Sequence, residues 1–163
     1  MKLKLYSNNK IINIEMLPIN IPKQNNNCSS ARYLLKFDGC SKGNPGLAGS
    51  GAVIYCNNVE IWSKSVFVGK NNTNNEAEYT GLIIGLEEAA QLKINFLQVE
   101  GDSLLVIKQM KGEYKVKSEK LIKLYEKAKE YEKMINKIEY NHIYREKNIR
   151  ADELSNMGLL FSK

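Results

Sequence analysis

Four acids in this chain stand where chemistry could be done: Asp38 closes a predicted strand, Asp102 directly follows another, Glu78 lies on a helix, and Asp152 opens the last helix. If they converge, their like charges repel, and one or two divalent cations would relieve the repulsion. All-oxygen ligation suits Mg²⁺ or Mn²⁺, hard ions that keep water and accept phosphate oxygens. Two such ions about 4 Å apart can activate water and stabilise the leaving oxygen in a phosphodiester displacement. Softer ligands are scarce: there is 1 histidine, His142, and 3 cysteines, Cys28, Cys40 and Cys56, at spacings that fit no zinc motif. The cysteines read as free thiols in a reducing compartment.

Taken singly, each acid also has a simpler explanation. Asp38 could be a turn former. Asp152, with Asn148 upstream as an N-cap, could merely complement a helix dipole. Glu78 shares its helix face with Leu82, Leu86 and Ala89, whereas Glu76, Glu87 and Glu88 fall elsewhere and read as solvated. A carboxylate in an apolar stripe needs an offsetting positive charge, from the helix N-terminus or from a metal.

The elements that must position these acids are legible in the pattern. Tyr33, Leu35 and Phe37 alternate with Leu34, Lys36 and Asp38, a strand. Residues 39–46 read as a glycine-containing turn, and residues 50–56 and 59–68 as strands joined at Asn57-Asn58. A helix is expected over 76–92, its start marked by the T-x-x-E capping spacing of Thr73 and Glu76. Then come a strand at 94–101, helices at 103–111 and 121–134, a strand at 137–144 and a helix at 151–161. The order βββαβααβα predicts an α/β fold, a mixed five-stranded sheet flanked by helices. If the strands ending at Asp38 and before Asp102 are parallel neighbours, both acids face the crevice at the sheet's carboxyl end.

Residues 1–30 differ. Two short apolar runs flank Ser7-Asn8-Asn9-Lys10, a possible hairpin. Pro18, Pro22 and the polar run 23–27 read as a linker, giving an extension at 1–30 and a main domain at 31–163. The 163 residues suffice to bury a core without disulfides or a structural metal. With 43% hydrophobic and 26% charged residues, wholesale disorder is excluded. No apolar run long enough to span a membrane and no signal peptide is read, so an intracellular, membrane-free monomer without an obligate protein partner is expected. A net charge of +6 favours a polyanionic partner.

The residues also carry a resemblance. Phe37-Asp38-Gly39-Cys40-Ser41-Lys42-Gly43-Asn44-Pro45-Gly46 resembles the first motif of type 1 ribonuclease H. Thr73-Asn74-Asn75-Glu76-Ala77-Glu78-Tyr79 is similar to its second, Gly101-Asp102-Ser103 to its third, and Asn148-Ile149-Arg150-Ala151-Asp152-Glu153-Leu154 to its fourth. The resemblance implies a ribonuclease H-like fold over about 31–161. It also implies an endonuclease that cuts the RNA strand of an RNA–DNA hybrid, leaving 3′-hydroxyl and 5′-phosphate ends. It assigns two Mg²⁺ ions, replaceable by Mn²⁺, to Asp38, Glu78, Asp102 and Asp152. It further implies that the backbone of Gly39, Cys40 and Ser41, with Asn44 and Asn74, reads RNA 2′-hydroxyls, and that Thr73 holds a DNA phosphate.

Departures from the family pattern shape the remaining expectations. Many members carry a histidine in the loop before the last acid; here His142 falls in the last strand, as a structural residue. Arg145 stands in the loop instead, as an electrostatic helper in catalysis. Residues 111–117 leave little room for the basic protruding helix of some relatives. Lys108, Lys111, Lys115, Lys117, Lys120 and Lys123 could still meet phosphates, or simply form a solvated face. Trp62 reads as a packed sheet residue. The competing functions are a catalytically silent hybrid-binding module and a same-fold nuclease or recombinase acting on other nucleic acids.

Overall fold

Periodicity decides the elements, and glycines decide how closely they pack. The computed structural model describes residues 2–7, 10–15 and 31–162, the first two stretches as backbone alone. The chain divides into two units, Met1–Ser30 and Ala31–Lys163. In the first, β1 (Lys2–Ser7) and β2 (Lys10–Glu15) pair antiparallel, with Leu3 opposite Ile14. The turn expected at Asn8-Asn9, the expected linker and Cys28 lie outside the described residues.

The second unit runs β3 (Tyr33–Gly43), β4 (Gly46–Cys56), β5 (Val59–Asn72), α1 (Asn74–Gln91) and β6 (Phe96–Gly101). It continues through α2 (Leu104–Met110), α3 (Glu119–Glu132), β7 (Lys137–His142) and α4 (Ile149–Gly158). The 5-stranded sheet has the order β5-β4-β3-β6-β7. β3, β4 and β5 pair antiparallel, while β6 lies parallel to both β3 and β7. This is the expected α/β order with a mixed sheet. Among the described residues no helix is long and apolar enough to cross a membrane.

Local chemistry explains the junctions. Asn57 and Asn58 take φ of 50° and 66°, the left-handed pair that a two-residue hairpin requires and asparagine tolerates. Thr73 caps α1 through a reciprocal capping box with Glu76, so the helix begins at Asn74, earlier than its apolar stripe suggests. Only Lys111 through Ser118 separates α2 from α3, leaving no helix in the place of a protrusion.

Cores lie on both sides of the sheet. Leu35, Phe37, Ala52 and Ile54 pack with Tyr79, Leu82 and Leu86 of α1 and with Val106, Leu121 and Ala128 of α2 and α3. Trp62 packs against the same core, half-buried, as a sheet residue. On the opposite side Val53 packs with Ala151 and Leu154 of α4, a much smaller cluster. Burial on both faces explains why β4 is continuously buried from Ala48 to Ile54 instead of alternating.

One expectation is corrected here. Asp38 does not end its strand: β3 continues for five residues, to Gly43, and only Asn44 and Pro45 separate it from β4. Of the glycines in 39–46, Gly43 alone has a positive φ, at 92°. The others serve close approach. A Cβ on Gly39 would lie 2.1 Å from the Glu78 backbone nitrogen. Further along β4, a Cβ on Gly51 would lie 2.5 Å from the Ser155 backbone nitrogen. Gly51→Ala should therefore push α4 off the sheet and lower stability by about 2–3 kcal/mol. Urea unfolding checks this, and an unchanged midpoint would show that α4 is not seated through Gly51.

Candidate active site

The parallel pairing of β3 with β6 ends at Phe37 opposite Gly101. The next residues along the chain are Asp38, still in β3, and Asp102, just past β6, so both sit at the carboxyl end of the parallel part of the sheet. Asp38 is 4% exposed and faces α4, where the Ser155 hydroxyl donates to its Oδ2 at 2.5 Å. Asp102 accepts at Oδ1 from Asn148 Nδ2, 2.6 Å away. Asn148, fully buried, uses the same amide nitrogen to donate to the Phe37 carbonyl at 2.9 Å, tying the ends of both strands to the start of α4.

Glu78 arrives from α1, whose backbone reaches the sheet because Gly39 lacks a side chain. Its carboxylate is 5% exposed, and Asn74 Nδ2 donates weakly to Oε1 at 3.4 Å. Oε2 is buried with no hydrogen-bond partner. Burial foremost, then the charges of Asp38 and Asp102, hold the Glu78 carboxyl well above its ordinary range. Burial likewise pushes Asp38 up to about 6, with Asp102 and Asp152 adding repulsion, while the Ser155 hydroxyl and the Gly39 amide oppose it.

Asp152, in the first turn of α4, closes the cluster. Arg145, from a 3₁₀ turn at Arg145–Lys147, pairs with its Oδ1, and Asn156 Nδ2 donates to its Oδ2 at 3.2 Å. The Arg145 guanidinium is exposed, and its hydrogen bond to Asp152 strengthens its hold on the proton. All four expected acids and Arg145 thus gather in one place. Among the described residues, no group of three or more His, Cys, Asp and Glu side chains is arranged to hold a metal ion as it stands. The chemistry of the acids nevertheless suits a hard cation: every donor atom they offer is oxygen, they repel one another, and Glu78 Oε2 has no hydrogen-bond partner.

The residues expected to touch substrate lie around this cluster. Beyond Phe37, β3 is paired with β4 but no longer with β6, so one backbone edge of Gly39, Cys40 and Ser41 leaves the sheet ladder. Ser41 Oγ donates to the Asn72 carbonyl at 2.8 Å. Asn44, exposed at the hairpin tip, accepts at Oδ1 from the Asn74 backbone amide at 3.2 Å. Thr73 is the N-cap of α1, and its amide is already committed to Glu76 Oε2 at 2.6 Å. The Cys40 thiol is pushed up by burial, with Asp38 and Asp152 adding to the effect and Ser155 and the Gly49 amide opposing it. Cys40 and Cys56 are free thiols.

Glu76 corrects a second expectation. It is not solvated but 6% exposed, because the capping box folds its carboxylate back onto Thr73, with Lys120 Nζ 3.7 Å away. Burial alone would raise its carboxyl, yet the Thr73 hydrogen bonds and Lys120 hold it below the ordinary value. His142, at the end of β7, points Nε2 at the Asp102 carbonyl, 3.2 Å away. Of the lysines, Lys108 and Lys111 lean on Glu113, at 3.9 and 2.9 Å. Asn148 was legible in sequence only as a cap, and Ser155 not at all. Their one signal is the 148, 152, 155 spacing, which puts both on the helix face of Asp152.

Comparison with known proteins agrees with the fold. Residues 36–158 match the family described as reverse transcriptase-like. The Mycobacterium tuberculosis protein named Bifunctional protein Rv2228c is 40% identical over 126 residues, spanning 77% of this chain and 35% of its own length. This chain therefore corresponds to about a third of that relative. Ribonuclease HI of Halobacterium salinarum is 36% identical over 123 residues, covering 76% of this chain and 62% of that protein. The crystal structure of LC11-RNase H1 in complex with RNA/DNA hybrid superposes with a TM-score of 0.74 at 35% identity, covering 78% of this chain and 96% of that one. The chain belongs to the ribonuclease H family, which is generally dependent on divalent metals.

The buried acids make the metal-free protein sensitive to pH. Asp38 titrates near 6 when folded and near 3.8 when unfolded, so the native state binds more protons between those values. Stability contributed by this group is therefore lost as pH rises through that window. Relative to wild type, Asp38→Asn should gain on the order of 2–3 kcal/mol between pH 4 and pH 7.5, measured by denaturant unfolding in chelator. A pH-independent difference would mean that Asp38 is not strained by burial and like charge.

Proposed function

We propose that this chain is an endoribonuclease that hydrolyses the RNA strand of RNA–DNA hybrids, leaving 3′-hydroxyl and 5′-phosphate ends. It would do so as a monomer, with residues 31–163 as the catalytic domain and residues 1–30 as an appended extension. The observation that carries the reading is Glu78: a buried carboxylate with an unpartnered oxygen, beside Asp38 and Asp102, at the carboxyl end of a parallel strand pair. An RNA/DNA hybrid is bound in the related LC11-RNase H1 structure, and ribonuclease HI is the name of the Halobacterium relative.

Asp38, Glu78, Asp102 and Asp152 would hold two Mg²⁺ ions, with Mn²⁺ able to replace them. When bound, such ions neutralise the carboxylates and supply the Lewis acidity for phosphodiester hydrolysis. The protein's own contribution is to place the donors beforehand. Ser155 holds Asp38 and Asn148 holds Asp102, while Arg145 balances Asp152 until the cations and phosphate arrive. Exposed at the rim, Arg145 would pair next with negative charge developing on the phosphate, the role of an electrostatic helper.

Selectivity for RNA follows from the edge of β3. The backbone of Gly39, Cys40 and Ser41 offers fixed hydrogen-bonding groups to 2′-hydroxyls, which DNA lacks. Asn44 and Asn74, linked to each other, extend that row from the hairpin tip to the α1 N-terminus. Thr73 would meet a DNA phosphate there, provided that Glu76 releases its amide. Lys115, Lys117 and Lys123, all exposed, add salt-sensitive phosphate attraction.

Strand-labelled RNA–DNA, RNA–RNA and DNA–DNA duplexes, incubated with Mg²⁺, Mn²⁺ or EDTA, test the proposal. Cleavage is expected only in the RNA of the hybrid and only with metal. Asp38→Asn and Glu78→Gln should each reduce it by about 10³-fold or more in folded protein, in line with loss of a principal electrostatic group. Glu76→Gln, whose amide oxygen can still accept from Thr73, should instead cost at most about 1 kcal/mol through the lost charge facing Lys120 and leave turnover nearly intact. The reverse ranking of the two glutamates would sink the assignment, and hybrid binding without turnover would point to a silent binding module. Arg145→Ala should slow turnover by about tenfold with hybrid affinity unchanged; an equal loss of affinity would make Arg145 a substrate clamp.

A further inference from the structure

The residues that carry the family resemblance stop at Leu154, and the next one, Ser155, is fully buried against Asp38. Its Oγ stands 2.5 Å from Asp38 Oδ2, within the range of a charge-assisted O–H···O⁻ bond. A serine hydroxyl has one proton to donate. Two other groups lie in reach of that hydroxyl: the Asp152 carbonyl at 2.9 Å, which also accepts from Asn156 Nδ2 at 2.8 Å, and the Cys40 thiol. Of the two oxygen acceptors Asp38 Oδ2 is the closer, and a hydroxyl bonds more strongly to an ionised carboxylate than to a carbonyl.

Backbone geometry puts the hydroxyl there. Across the β3–β4 ladder, Gly51 is the partner of Asp38 and Gly49 the partner of Cys40. A Cβ on Gly51 would lie 2.5 Å from the Ser155 nitrogen, and one on Gly49 would lie 2.4 Å from the Ser155 carbonyl oxygen. Two missing side chains therefore open a slot in β4, and the α4 backbone sinks into it at Ser155. The side chain then reaches across to the neighbouring strand. The same helix start holds Asp102 through Asn148, so α4 fixes the acids of β3 and β6 together.

We propose that Ser155 is a positioning residue for Asp38, tying down Oδ2 so that the other carboxylate oxygen is presented to a divalent cation. The proposal rests on the cation-dependent reading of the site given above. Partners that orient a ligating carboxylate typically contribute about 10–100-fold to metal affinity.

Ser155→Ala removes the hydroxyl and little else, and the full chain carries both arms of the test. In the metal-free protein, NMR side-chain couplings of Asp38 should report one rotamer in wild type and averaging in S155A. Calorimetric titration with Mg²⁺, without nucleic acid, should show about tenfold weaker binding by the variant. The Mg²⁺ concentration for half-maximal hybrid cleavage should rise in parallel, while KM for the hybrid stays constant. An unchanged Asp38 rotamer overturns the proposal, as does unaltered or tighter Mg²⁺ binding. Wild-type protein that takes up no Mg²⁺ sinks the cation reading itself, and the rotamer comparison then decides alone whether Ser155 holds Asp38.

Discussion

Like charge buried at one point is the constraint on which the rest of this structure depends. Asp38 and Glu78 are nearly as buried as the apolar core, and the charge of Asp38 adds to the cost of ionising Glu78. In an apolar interior such groups would simply stay protonated. Here the surrounding donors act against that outcome. Ser155 and the Gly39 amide favour the charged form of Asp38, Asn148 binds Asp102, and Arg145 and Asn156 bind Asp152. Glu78 draws on the Gly39 amide, Asn74 and Arg145, yet its Oε2 is buried with no hydrogen-bond partner. Partial compensation is what a site for a removable cation needs. Full compensation would leave the cation nothing to stabilise, and none would leave the acids protonated or the fold unstable.

Bringing four acids together requires two helices to approach one sheet more closely than side chains normally allow. α1 meets β3 at Gly39, and α4 meets β4 at Gly49 and Gly51. The first contact delivers Glu78; the second delivers Asp152, Ser155 and the amide of Asn148. Sequence, packing and chemistry therefore converge on a few positions without side chains. The glycines following Asp38 are not mainly turn residues, since Gly43 alone among residues 39–46 uses a left-handed backbone.

That ambiguity explains most of what the sequence did not reveal. Glycine signals either a turn or a close approach, and nothing local separates the two, so residues 39–46 read as a loop when most of them are strand. Strand alternation, the Asn57-Asn58 turn and the Thr73–Glu76 spacing are short-range signals, and they located their elements well. Helix phase selected Glu78 for the cluster but misjudged Glu76, because a cap is buried by its own turn and not by an apolar face. Asn148 and Ser155 were hidden for another reason. Their acid partners lie 46 and 117 residues away, so only the fold makes these polar residues of α4 and its cap into supports for acids at the sheet.

The two sides of the sheet also differ in how firmly they hold their acids. α1, carrying Glu78, is embedded in the larger core with Tyr79, Leu82 and Leu86. α4 rests on a small apolar cluster of Val53, Ala151 and Leu154, supplemented by the Arg150–Glu60 pair at 3.0 and 3.1 Å. An exposed pair of that kind adds at most about 1 kcal/mol. The glycine slot and the Asn148 bridge consequently carry much of the seating of α4, and they are the same contacts that orient Asp38 and Asp102. Any loosening of α4 would disturb three acids at once while leaving Glu78 in place. Local stability of one short helix is therefore inseparable from the geometry of the site.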